Sequence, residues 1–188
     1  MTTTLRLATL DDVDELRALM TLSIRRLIGA YFDADRVEAS YEIMGLDTQL
    51  IEDGTYFTVL SGERIVGCGG WSRRATMFGG DHSGGRSSRL LDPATEAARV
   101  RAMYTHPDFA RRGIGTRVLA ACEAAAAAEG FTVLELVATV AGEPLYAANG
   151  FTLVERIEVP TARGIAIPCA RMRRGVSVNA VRGARPGG

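Results

Sequence analysis

The stretch from Ala97 to Ala138 constrains the chain more than any other part of it. It reads as a strand, a short loop, a helix and a second strand. Ala97–Thr105 is a strand stopped by His106-Pro107. Gly113–Glu129 is the most helical segment, because it carries Val118, Leu119, Cys122 and an unbroken alanine run, and alanine is the best helix former. Gly130 supplies its C-terminal stop. Val133–Ala138 then has the composition of a strand.

The flanking segments add elements of both kinds. Leu5, Leu7 and Ala8 make a short first strand, and Thr9 or Asp11 can cap the helix that follows. Val13, Leu16, Leu19, Met20 and Ile24 recur at helical spacing, so residues 11–28 read as an amphipathic helix. A less regular helix runs from Asp33 to Met44 and ends at Gly45. Tyr56–Leu60 and Ile65–Trp71 form a hairpin turning at Ser61-Gly62. The glycines at 67, 69 and 70 weaken its second strand unless something packs close to the backbone. Residues 75–94 make the longest loop, a length usually functional or disordered. Pro144–Ala148 is a short helix, and Phe151–Val159 with Ile165–Arg173 closes the chain as two strands. The order β-α-α-β-β-β-α-β-α-β-β gives a mixed α/β (α+β) domain over residues 1–174 with a central sheet. Residues 175–188 are read as a loose tail.

Composition narrows the partners. With 188 residues, 47% of them hydrophobic and 23% charged, the chain has the balance of one globular domain. No apolar run approaches the roughly 18–20 residues that would span a bilayer, and no basic-then-apolar leader opens the chain, so neither membrane nor secretion is expected. The formal net charge of +0 argues against nucleic acid as a bulk partner. All 22 positive side chains are arginine, which excludes lysine Schiff-base and Walker-loop chemistry. A coding bias explains that usage as readily as a need for bidentate anion recognition, so arginine clusters count for less here. Cys68, Cys122 and Cys169 are odd in number and widely spaced, giving neither a disulfide framework nor a metal site and pointing to a reducing, cytoplasmic setting.

Chemistry concentrates in Arg101–Thr116, where a strand ends, a short loop turns, and a helix begins with Arg111, Arg112, Gly113, Ile114, Gly115 and Thr116. The first N–H groups of a helix lack intrahelical partners, the helix dipole is positive there, and glycine removes the Cβ that would block close approach. The two arginines suit a pyrophosphate. A plain tight connection with solvated arginines has the same local sequence. The third glycine of a dinucleotide fingerprint is missing.

This segment resembles the main motif of the GNAT superfamily of acyl-CoA-dependent N-acyltransferases. In that motif a strand ending in an aromatic-β-branched-x-Pro phrase precedes Gln/Arg-x-x-Gly-x-Gly/Ala. Met103-Tyr104-Thr105-His106-Pro107 and Ala110-Arg111-Arg112-Gly113-Ile114-Gly115 stand for its two parts, with Ala110 departing from the Gln/Arg position. Downstream, Pro144-Leu145-Tyr146-Ala147-Ala148-Asn149-Gly150-Phe151 resembles the family's Tyr-x-x-x-Gly-Phe phrase. The likeness covers Leu5 to Arg173.

The resemblance implies a single domain with a mixed, mostly antiparallel twisted sheet flanked by helices and splayed between the fourth and fifth strands. It implies acetyl-CoA as cosubstrate, with its pantetheine arm paired to the backbone of Met103, Tyr104 and Thr105. The pyrophosphate would lie on the N–H groups of Arg111 through Thr116. A neutral amine, small-molecule or peptide, would attack the thioester, a strand N–H near Met103 or Tyr104 would stabilise the carbonyl oxygen, and Tyr146 would protonate the departing thiolate as general acid. A homodimer is compatible with the family, and so is a non-catalytic acyl-CoA-binding sensor or scaffold domain.

Other residues carry two readings each. Glu135 is a base candidate or a cross-strand partner of Arg99 or Arg101. Asp81 and His82 are catalytic or merely loop residues, and His106 is most simply a turn residue. Trp71-Ser72-Arg73-Arg74 lines the acceptor cleft or forms a surface arginine pair. Cys68 and Cys122 are core fillers.

Overall fold

Strand alternation and glycine turns build one half of a seven-stranded sheet. β1 (Thr4–Leu7) pairs antiparallel with β2 (Tyr56–Ser61), which turns at Gly62 into β3 (Arg64–Ser72), which pairs antiparallel with β4 (Ala98–Thr105). β5 (Val133–Thr139), β6 (Thr152–Val159) and β7 (Ile167–Gly175) build the other half, in the overall order β1-β2-β3-β4-β5-β7-β6. Among the described residues only the β4–β5 contact is parallel, and it joins the two halves. This computed structural model describes residues 2–176.

Helices cover both faces. α1 (Val13–Ser23) presents Leu16, Leu19 and Met20 to a core that includes Tyr56, Ile65, Cys68 and Tyr104. α4 (Ile114–Ala128) presents Val118, Leu119 and Cys122 to the opposite face, against Val59, Val66, Val100 and Leu134. Trp71 is fully enclosed there and meets Phe131 edge-on at 5.9 Å. α2 (Ala34–Ser40) is capped by Asp33, and α5 (Glu143–Ala148) leads to β6.

The three β3 glycines have a packing reason. A Cβ at Gly67 would lie 2.2 Å from Ile114 Cγ2, and one at Gly69 would lie 2.1 Å from Met103 Sδ. At Gly70 it would lie 2.6 Å from Thr55 O. The missing side chains at Gly67 and Gly69 let Ile114 and Val118 of α4 sit directly on the sheet, and the one at Gly70 makes room for Thr55 and Tyr56. Gly67→Ala therefore displaces Ile114, a stiff β-branched residue, at an expected cost of about 1–3 kcal/mol. Urea unfolding reads this, and an unchanged midpoint would mean that α4 has room to spare.

Several boundaries differ from the sequence reading. Helix 11–28 is continuous but changes its winding: a 3₁₀ turn (Leu10–Asp12), then α1, then a π segment (Ile24–Ile28). Thr9 rather than Asp11 caps it, its N–H donating to the Asp12 carboxylate at 2.8 Å. The second helix stops at Ser40 rather than Met44. α3 (Thr48–Glu52) is a short helix that periodicity could not register, and it starts where Asp47 accepts from Gln49 N at 3.1 Å. β7 carries through Gly175, which pairs with Val133, and the rest of the segment read as tail, from residue 177, lies outside the described residues.

Candidate active site

The site begins where two parallel strands part. β4 and β5 pair only at Ala98–Leu134 and Arg99–Glu135. Beyond that rung β5 stays with β7, and the edge of β4 from Val100 to Thr105 has no β5 partner. Arg99 clamps the last rung, its Nη1 lying 2.7 Å from Glu135 Oε1, with Arg171 also 3.7 Å from that oxygen. Glu135 is thus held as a cross-strand partner of Arg99 and does not face the opening.

β4 is also bent at this point. Cys68 opposes Tyr104 and Gly70 opposes Arg101, so Gly69 alone matches Ala102 and Met103. Ala102 has φ +51°, a conformation that costs a non-glycine residue of order 1–3 kcal/mol. Tyr56 Oη donates to its carbonyl at 2.7 Å, and Gly45 N donates to Tyr104 Oη at 2.9 Å, so the bulge is pinned from the α1 face. Such bulges re-aim main-chain groups beside active sites.

After a 3₁₀ turn at Pro107–Phe109, the chain takes left-handed conformations at Arg111 (φ +63°) and Gly113 (φ +79°) before entering α4. The first intrahelical bond runs from Arg117 N to Gly113 O at 3.0 Å. The N–H groups of Ile114, Gly115 and Thr116 therefore lack helical partners, and no side chain among the described residues caps them. Nothing stands within 4 Å of where a Gly113 Cβ would be. This is an open anion cradle at the positive end of a long helix.

Tyr146 is brought to the cradle by close packing of α5 on α4. A Cβ on Gly115 would lie 2.6 Å from Leu145 Cδ2, so glycine admits Leu145, and Asn149 Nδ2 donates to Thr116 Oγ1 at 3.2 Å. The Tyr146 ring meets Phe151 edge-on at 5.8 Å. Among the described residues none hydrogen-bonds its hydroxyl. Burial, helped by the nearby Cys122, pushes the phenol well above its ordinary pKa, so it stays protonated at neutral pH.

One cavity of about 640 Å³ joins these parts. Met103, Tyr104, Thr105, Arg111, Gly113, Ile114, Gly115, Thr116 and Tyr146 all line it. Arg112 does not. Its guanidinium stacks on Phe109 at 5.3 Å, in a small separate recess with Thr3 and Arg117. Ala110, at the family's Gln/Arg position, lines the cavity without offering a side-chain donor.

Of the two readings of Trp71-Ser72-Arg73-Arg74, the acceptor cleft fails, since none of the four lines the cavity. Arg73 binds Glu129 and Arg74 binds Asp53, each through two nitrogens, and Trp71 is core. Asp81 accepts from Thr48 N and Oγ1, and His82 Nε2 lies 2.7 Å from Tyr41 O, so both fasten the long loop. His106 caps the 3₁₀ turn and stays neutral, because burial and the adjacent Arg64 lower its pKa. Cys68 and Cys122 are buried, and burial raises the Cys68 thiol to about 12.

Two features of the cavity had no sequence signal. One is the π segment, whose Ile24, Leu27 and Ile28 form part of the wall. The other is an ion cluster: Asp47, fully buried, accepts from Arg101 Nη1 at 2.5 Å and from Arg86 Nη2 at 2.6 Å. Arg101 also donates to Gly79 O at 2.7 Å, which ties the long loop to β4 at the edge of the cavity.

The site is thus a gap between parting parallel strands in an open mixed sheet, beside an uncapped helix N-terminus. The model of the acetyltransferase (GNAT) family matches residues 21–151, well over half of the sequence, and the chain belongs to that family. It is an acetyl-CoA-dependent acyltransferase, and acetyl-CoA is its cosubstrate. The open β4 edge and the cradle at Gly113 fit that ligand.

Solved structures share the fold. A GCN5-related N-acetyltransferase from Rhodopseudomonas palustris has a TM-score of 0.68 at 19% identity, covering 93% of this chain and 96% of that one. An N-acetyltransferase from Thermoplasma acidophilum in complex with coenzyme A has 0.63 at 12% identity, covering 93% and 99%. A Salmonella typhimurium protein solved with acetyl-CoA has 0.62 at 16% identity, covering 95% and 96%. No curated protein matches the chain at a significant level.

Proposed function

We propose that the protein transfers an acetyl group from acetyl-CoA to a primary amine by direct attack, with Tyr146 as general acid. The observation that supports this is the shared cavity, lined by residues of the unpaired β4 edge, of the α4 cradle and by Tyr146. Main-chain groups of Met103, Tyr104 and Thr105 pair the pantetheine amides as an added strand would. The N–H groups at the start of α4 bind the pyrophosphate, with Arg111 contributing charge. Acetyl-CoA supplies the activated thioester.

The amine enters neutral, a bond forms from its nitrogen to the carbonyl carbon, and the carbon–sulfur bond breaks. A β4 N–H at the bulge stabilises charge on the carbonyl oxygen. Tyr146 gives its proton to the departing sulfur, the nitrogen loses one to solvent, and solvent restores the phenol, so protons balance. Release of coenzyme A thiol over an amine panel tests the reading. Amine-dependent release is expected. Tight acetyl-CoA binding without release for any amine would instead mark a binding domain.

A further inference from the structure

The cavity does not end at the thioester. It passes between β4 and β5 to the α1 face of the sheet, where its walls are the π segment, the chain after α2, and the tip of the 75–94 loop. The side chains there are mostly apolar, among them Ile24, Leu27, Ile28, Ile43, Met77 and Phe78, with hydroxyls only on Ser23 and Tyr31 among the described residues of that wall. Among the described residues lining the cavity, none is Asp, Glu or His. The charged side chains are Arg111, at the cofactor end, and Arg101, whose Nη1 and Nη2 donate to Asp47 and Gly79 O and whose buried Nε has no partner among the described residues.

Resting on the transferase reading, we propose that the acceptor is a primary amine on an apolar alkyl or aryl body with no second cationic group. The cofactor enters from the α4 side, so the volume on the α1 face falls to the acceptor. Desolvating a second ammonium against these walls would be costly, since no carboxylate is there to pair with it. The same walls disfavour the charged form of the reacting amine, so it arrives as the free base although no carboxylate or imidazole lines the cavity. Residues of a π segment at such a wall fit the frequent use of this winding at functional sites.

A matched pair of probes tests the assignment: n-heptylamine and 1,6-diaminohexane, similar in length and differing at the far end by methyl against ammonium. Calorimetric titration into the full-length protein saturated with coenzyme A reads binding without turnover, so its result is independent of whether acetyl transfer occurs. Heptylamine is expected to bind at least about tenfold more tightly. Phe78→Asp, at a half-exposed position on the cavity rim, is expected to shift that ratio several-fold toward the diamine. Equal affinities, preference for the diamine, or binding of neither amine would overturn the proposal. So would octanoyl-CoA binding tenfold more tightly than acetyl-CoA, because the apolar volume would then hold the acyl chain.

Discussion

Tyr146→Phe is expected to lower kcat by about a hundredfold or more, the usual contribution of a positioned general acid, while leaving the Kd for acetyl-CoA unchanged. The hydroxyl has no partner among the described residues, so its removal orphans nothing in the fold. The ring keeps its edge-on contact with Phe151, and stability should hold to within about 0.5 kcal/mol. Because burial holds the phenol protonated beyond its ordinary range, the wild-type rate should not fall with rising pH from loss of this proton at neutral to mildly alkaline pH. Steady-state kinetics beside calorimetry separate the two quantities. Unchanged turnover in the variant would remove Tyr146 from the chemistry.

The largest loss of stability is expected from Asp47→Ala, about 3–5 kcal/mol by denaturant unfolding. Asp47 is wholly buried, and the Arg101 side chain is only 3% exposed. Removing the carboxylate leaves Arg101 charged with no carboxylate partner, takes one of the two carboxylates from Arg86, which keeps Asp81, and removes the cap of α3. Asp47→Ala combined with Arg101→Met should recover part of the loss, because the uncompensated buried charge is then gone. By contrast, Glu143→Gln breaks an ion pair whose arginine, Arg156, is 62% exposed, and should cost less than about 1 kcal/mol. Similar losses from Asp47→Ala and Glu143→Gln would show that the buried cluster adds little.

Much of this architecture was legible before any coordinates. Apolar and β-branched runs bounded by glycine, proline and polar turn residues located every strand to within a residue or two, even β3, buried along nearly its whole length, and β6, exposed along nearly all of its own. The cradle was legible because its chemistry is main-chain: glycine at 113, proline at 107 and the helical run after them specify the turn whatever the side chains do. The acceptor wall was not legible. Ile24, Leu27 and Ile28 read as ordinary core positions of an amphipathic helix, and nothing in their spacing says that the winding opens to π and leaves them facing a cavity. Nor could pairing of Asp47 with Arg101 be read, since 54 residues separate them and only the long loop and α3 bring them together. Arg73 and Arg74 stayed ambiguous in sequence for a related reason. Adjacent arginines look alike in sequence whether they face a ligand or, as here, Glu129 and Asp53.

A crystal structure of the protein with bound coenzyme A measures the central claim most directly. Its diphosphate should accept from the N–H groups at the start of α4, its pantetheine should run along the unpaired edge of β4, and its sulfur should lie within hydrogen-bonding reach of the Tyr146 hydroxyl. Density for the diphosphate away from residues 111–116, or a sulfur out of reach of Tyr146, would contradict it.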